Sequence, residues 1–195
     1  MKNLFLMLCL LSVSAFSQPF IQKKDGSKIA VLENSIHISP NHKRLYYKLP
    51  DVEKEQRLKF SAIEAARFAD YYFKTFAVNK KTKGFYVLAE ANGKTLATIK
   101  YGKIISRGGF ESVLDFYELV VLDANSNLLT SISFSANNSD KNSKERAGVN
   151  ALIQTHFPDC PKLLEKAKLF ESIASDENHR MIMTFLDVPT FINCQ

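Results

Sequence analysis

The sequence is poor in the groups that catalysis usually requires. It holds no Gly-x-Ser-x-Gly elbow, no His-Glu-x-x-His, no Cys-x-x-Cys and no glycine-rich phosphate loop. Serine-hydrolase, zinc-protease, dithiol-redox and nucleotide-cradling chemistries are therefore not expected in their usual forms. Histidine is scarce, with four residues in 195. His37 alternates with Ile36 and Ile38 and should point to the wet face of a strand. His42, His156 and His179 are read as solvated or packed. A zinc site built from His156, Cys160, His179 and Cys194 fits no common ligand spacing. The best carboxylate pair is Asp115 with Glu118. Three apart on a strand they face opposite ways, and only a helix would align them. No catalytic residue, metal or cofactor is assigned.

Long apolar runs are missing too, except at the start. Leu4 to Leu11 is uninterruptedly apolar, follows Lys2, and precedes the small-residue stretch ending Ala15-Phe16-Ser17. That is the layout of a secretory signal peptide, and the run is far short of the roughly 20 residues that span a bilayer. Residues 1–17 are expected to be removed, leaving 18–195 as a single domain without a membrane span. A subdivision into 18–60 and 61–195 is the alternative. Cys9 sits inside the apolar run, away from any lipoprotein cleavage position.

Cysteine is equally sparse, with three residues. Once Cys9 leaves with the leader, Cys160 and Cys194 remain, and in an oxidising compartment they are expected to pair. Unpaired thiols, or a nucleophile activated by His156, are the competing readings. Pro158 breaks the register that a Cys–His pair would need.

The formal charge of +6 at pH 7 is unevenly spread, with 16 Lys/Arg against 8 Asp/Glu over residues 18–100 and 9 against 12 over 101–195. A basic half suits anionic envelope components, although lysine also serves simply to solubilise. Nucleic acid is not an expected partner. The one Arg107-Gly108-Gly109-Phe110 element is read as a flexible turn. Asn137-Asn138-Ser139 is a glycosylation sequon that matters only in a eukaryotic secretory route.

Strand and helix signals alternate along the chain. Asp25-Gly26 and Asn92-Gly93 predict two-residue hairpin turns. Ser35–Ile38 and Arg44–Leu49 read as strands, Asp51–Gln56 as a charged loop, and Arg57–Phe60 as a short strand. Ser61 with Glu64 forms a capping box, predicting a helix from Ala62 to about Phe73. A second β region takes Gly84–Glu90 and Lys94–Lys100, then an irregular connection at 102–109, then a hairpin of Phe116–Leu122 and Leu128–Ser135. Ser143–Phe157 reads as a helix stopped by Pro158. Asp159 should cap the next helix, with Pro161 in its first turn. Met181–Val188 reads as a buried strand. The fold class expected is α+β: two antiparallel β regions, a connecting helix and a helical C-terminal segment.

The run Lys23-Lys24-Asp25-Gly26-Ser27-Lys28-Ile29, with Ile36-His37-Ile38, Leu45-Tyr46-Tyr47-Lys48 and Leu58 to Ile63, resembles a β-hairpin module. Such modules occur in small secreted bacterial proteins of unassigned function. The resemblance implies export by a bacterium and brings no catalytic residues.

These features suggest a non-catalytic exported protein, periplasmic or at the cell surface, that binds a partner protein or an envelope component. The abundant aromatics, 15 Phe and 7 Tyr, make a carrier of a small apolar ligand the alternative. A hydrolase of unfamiliar type using Asp115 and Glu118 is the third reading. Tyr71, Tyr72 and Phe76, with Lys80, Lys81 and Lys83, are the candidate ligand or partner surface, weighed against a plain role in a helix–sheet core.

Overall fold

The computed structural model describes residues 18–107, 109–136, 143–173 and 183–194. Residues 1–17 with Cys9, Gly108, the sequon at Asn137, His179 and residues 181–182 lie outside the described residues.

The chain opens with the hairpin β1 (Phe20–Lys23) and β2 (Lys28–Ala30), followed by β3 (His37–Ser39), β4 (Arg44–Leu49) and β5 (Val52–Lys59). One 3-10 turn at Phe60–Ala62 leads into β6 (Ile63–Phe68), β7 (Tyr71–Val78), β8 (Lys81–Ala91), β9 (Lys94–Arg107), β10 (Phe110–Leu122) and β11 (Leu128–Ser135). Two helices close the order, α1 (Ser143–His156) and α2 (Pro161–Glu171). The eight-stranded sheet runs β11-β10-β9-β8-β7-β6-β1-β2, and β3-β4-β5 form a second sheet. All the strand pairings are antiparallel. The protein is thus mainly antiparallel β, which corrects the expected α+β class.

The largest correction is the helix expected over residues 62–73. Its capping box yields a single 3-10 turn, and the chain then extends as β6, paired with β1 on one side and β7 on the other. A cap contributes only about 1 kcal/mol. Two flanking ladders and the burial of Ile63, Ala66 and Phe73 outweigh it. Ala69 at φ 46° turns the chain back where the helix would have continued.

Other departures have similarly local causes. At Asp25-Gly26 only Gly26 takes positive φ (83°), while the Asp25 carboxylate accepts from Ser27 N and Oγ; this is a longer loop than the two-residue turn expected. Asn92-Gly93 is the two-residue turn expected, with φ of 51° and 69°. Of the charged segment 51–56, Val52 onward belongs to β5, an edge strand whose outward charges stay in water. The described part of 102–109 is no loose connection, because β9 and β10 continue pairing as far as Phe110↔Arg107. Glu111–Leu122 lies within β10, the strand expected in preference to a helix. In the tail, the described part of Met181–Val188 is a turn held by Asp187 N and Val188 N donating to Thr184 O, not a strand. Cys160, not Asp159, occupies the N-cap of α2.

The large sheet is covered on both sides. Leu96, Leu119, Val121 and Phe134 pack with Val149, Ile153, Leu163 and Phe170 of the helices. Their neighbours Ala97, Val120 and Leu122 pack instead with Leu45 and Tyr47 of the small sheet. Period-two alternation sends successive residues of each strand into different cores. In β8 the ladder passes from Val87↔Ala97 to Ala89↔Leu96. Leu88 is the extra residue of a bulge, and it enters the helix-side core together with Ala89.

The C-terminal segment completes the sheet. Ile192 N donates to Leu88 O at 2.7 Å and Phe191 N to Asp70 O at 2.8 Å, so the tail lies along β8 beyond the β6–β7 turn. Cys194 is bonded to Cys160, the pairing expected, and ties that tail to the start of α2. Closing a loop of 34 residues contributes roughly 3–4 kcal/mol on chain-entropy grounds.

Gly84 lies close under two rings, Phe73 of the neighbouring strand β7 and Phe60 of the turn that links the two sheets. A Cβ there would lie 2.8 Å from Phe60 Cε2 and closer still to Phe73 Cζ. Gly84→Ala is expected to lose roughly 1–3 kcal/mol from overpacking, seen as a lower thermal midpoint with the β-sheet circular dichroism retained. An unchanged midpoint would show that the two rings yield freely.

Candidate functional site

The six residues expected to share a surface are separated by the fold. Phe76 is 7% exposed and packs on Phe85, so it belongs to the core. Tyr72 lies under the Arg67 guanidinium at 4.1 Å and against Phe191 at 5.7 Å. Tyr71 stacks on Phe68 at 5.4 Å and meets Tyr86 edge-on at 5.8 Å. Lys80 and Lys81 are exposed at the β7–β8 turn, where Asn79 and Lys80 both take positive φ. Lys83 lines one cleft, and Tyr71 a second opening beside it.

The Lys83 cleft arises because β8 and β9 part company. Their ladder ends at Tyr86↔Thr98; beyond it β8 pairs only with β7, and β9 only with β10. A corner of the small sheet, Pro40 to Lys43 with Phe60, faces the resulting fork. The cleft there holds about 250 Å³ and is lined by Phe60, Ile99, Tyr101, Gly84, Lys83 and Glu118 among others. Lys83 Nζ reaches across to both Glu118 carboxylate oxygens, at 2.6 and 2.9 Å. This half-buried pair spans the fork from β8 to β10. It contributes about 1 kcal/mol at most, since both partners keep some contact with water.

A second opening of about 240 Å³ shares Pro40 and Ile99 with the first and is lined by Tyr71, Tyr86, Thr98, Lys100 and Asp187. Asp187 is its electrostatic centre. Its carboxylate accepts from the Tyr117 hydroxyl, from Lys100 Nζ at 3.2 Å, and from Thr184 N and Oγ1 at 3.0 and 2.8 Å. Burial pushes the Asp187 carboxyl up, but these donors more than reverse that and hold it below its ordinary value of 3.8. Burial also pushes the Tyr117 phenol well above its ordinary 10, and the hydrogen bond to Asp187 adds to the effect, so Tyr117 stays a donor. Asp115 lies 3.7 Å from Lys100 while Glu118 pairs with Lys83, and the two carboxylates engage different partners.

Glu118 and Asp187 are both engaged by cations, and Cys160 is consumed in a disulfide. Among the described residues no three His, Cys, Asp or Glu converge as metal ligands would. His37 is exposed beside Tyr46, and His42 Nδ1 hydrogen-bonds Ser39 Oγ at 2.9 Å. Sequence reasoning missed Phe60, Gly84 and Tyr101 as cleft residues, and singled out Glu118 only as a carboxylate paired with Asp115. Their only local trace is a glycine inside a strand pattern, which often marks close backbone approach.

No protein-family model, curated protein or solved structure matches the chain.

A further element stands apart from the cleft. From Gly102↔Asp115 to Arg107↔Phe110, β9 and β10 pair with each other alone, as a two-stranded arm. Six residue pairs extend it by about 20 Å. Phe110 is 82% exposed on it, Val113 66% and Ile104 65%.

Asp187→Asn is expected to destabilise the protein by roughly 2 kcal/mol at pH 7, because the charge-assisted hydrogen bonds weaken. The sign with pH follows from the depressed carboxyl. Its stabilisation is present above the unfolded-state value near 3.8 and is lost as pH falls below it. Urea unfolding at pH 7 and pH 3 should therefore show a smaller acid loss for Asp187→Asn than for the wild type. An identical acid loss would show that the Asp187 carboxylate adds nothing to stability.

Proposed function

We propose that this is an exported, non-catalytic protein of a bacterial periplasm or cell surface that binds a partner protein or envelope component, with the β9–β10 arm as its contact element. The observation that carries this reading is the arm itself. Ile104, Phe110, Val113 and Leu114 are all exposed on the outer stretch of β9 and β10, where among the described residues no other strand pairs with them. Scattered exposed apolar residues are ordinary, but a concentration of them on one projecting hairpin marks an interaction element. Export is supported by the leader-like first 17 residues and by the Cys160–Cys194 bond, which suits an oxidising compartment.

The second reading, a carrier of a small apolar ligand, rests on the fork cleft. Its walls are largely apolar, and about 250 Å³ suits only a small molecule.

Crosslinking pull-down from the envelope fraction tests the first reading. The wild type is expected to recover a specific partner, and the double variant Phe110→Ser with Val113→Ser to bind it at least about 100-fold more weakly, since each buried side chain contributes about 1.5–3 kcal/mol. Equal recovery by the variant, or no specific partner at all, would overturn the arm as the contact element. A small molecule co-purifying in native mass spectrometry would favour the carrier.

A further inference from the structure

The two sheets end in four edge strands, and three of them are protected in recognisable ways. β2 is three residues long and begins with Lys28, and β3 is three residues long with an exposed His37. β5 is longer but reads Val-Glu-Lys-Glu-Gln-Arg-Leu-Lys, with charge along most of its length. Short or charged strands are the usual protection against pairing with another chain. β11 has neither device. It runs eight residues, Leu-Leu-Thr-Ser-Ile-Ser-Phe-Ser, without a charge, a proline or a glycine, has one register shift at Leu129, and among the described strands pairs with β10 alone. From Ala124 to Asn138 the sequence carries no charged residue at all. A long, uncharged strand edge of high β-propensity is a template for another strand.

We infer that β11 pairs antiparallel with β11 of a second copy, joining two eight-stranded sheets into one continuous sheet across a dyad. A second copy is the occupant because the strand complements itself. A dyad brings each residue opposite a residue of the same strand, so a charged edge meets its own sign, whereas β11 meets none. Directly opposed residues must point to the same face, which restricts the dyad to one running between a residue and its own mate. With Ser131 opposite its mate, Thr130 lies opposite Ile132 of the second copy, and Ser131 and Ser133 are exposed on the other face. Leu129, 47% exposed, is the extra residue where the β10–β11 ladder steps from Val121↔Thr130 to Leu122↔Leu128, so it flanks this pairing rather than entering it. The dyad stands perpendicular to the sheet, so the α1 helices of both copies fall on the same face. α1 already packs on β11 at this edge, with Gly148 close against Ile132. The interface therefore joins strand ladder and helix flank rather than a ladder alone. It uses residues separate from the arm, so the two elements can be engaged together.

Light scattering coupled to size exclusion, with sedimentation velocity over micromolar concentrations, tests the inference on the chain from residue 18. The wild type is expected to run at twice the monomer mass. Ser131→Lys, which sets like charges across the dyad, is expected to weaken association at least a hundredfold. Ser131→Thr should stay dimeric, and circular dichroism should show both variants folded. Phe110→Ser should also stay dimeric, which separates this interface from the arm whatever the arm binds. A monomeric wild type would overturn the inference. So would a folded Ser131→Lys variant that dimerises like the wild type, or a dimer lost through Phe110→Ser alone.

Discussion

Three long strands, β8, β9 and β10, each serve two hydrophobic cores at once, and most of the architecture follows from that demand. Alternate residues of a strand face opposite ways, so a strand buried on both faces must be apolar nearly throughout. Val87-Leu88-Ala89, Leu96-Ala97 and Leu119-Val120-Val121-Leu122 meet that condition, and all of these residues are fully buried. Helices therefore cover one face and the small sheet the other. Where the double burial stops, the sheet behaves differently. β8 and β9 separate into the fork beyond Tyr86↔Thr98, and β9 and β10 run on as the exposed arm beyond Phe116.

The C-terminal segment ties these parts together without being regular structure itself. It continues the β8 edge beyond the β6–β7 turn through Ile192, anchors to α2 through Cys194, and engages the sheet electrostatically through Asp187. A segment of so few residues cannot bury enough surface to order itself. The covalent tie and the four donors on one carboxylate compensate for that ordering cost. The second opening of the fork is consequently built by the tail as much as by the sheet. Any ligand there would be sensitive to the oxidation state of Cys160 and Cys194.

Much of the strand content was legible from local patterns. Asn92-Gly93 marked its turn because both positions needed positive φ, and Phe116–Leu122 with Leu128–Ser135 stood out by β-branched and aromatic content. The segment from Ser61 to Phe73 was not legible, since its capping box and alanines favour a helix in isolation. The competing ladders come from β1, forty residues earlier in sequence, and from β7. The candidate site was less legible still. Lys83 was singled out for its charge, but its partner Glu118 lies 35 residues away, and Phe60 and Gly84 face each other only because two sheets meet. The grouped aromatics of 71–76 suggested a surface, yet the pleat sends Tyr72 to Arg67, Tyr71 to Tyr86 and Phe76 inward.

By itself the sequence determined what depends on neighbours along the chain or on elimination. The leader pattern, the Asn-Gly turn, the helix break at Pro158 and the candidate mate for Cys160 are of that kind. The mainly-β class, the fork, the free arm and the uncharged edge of β11 were decided only by tertiary structure. Each depends on which strand lies beside which, and on where a ladder stops. Those are contacts between residues remote in sequence, whose energies exceed the local preferences that a single stretch of chain can express.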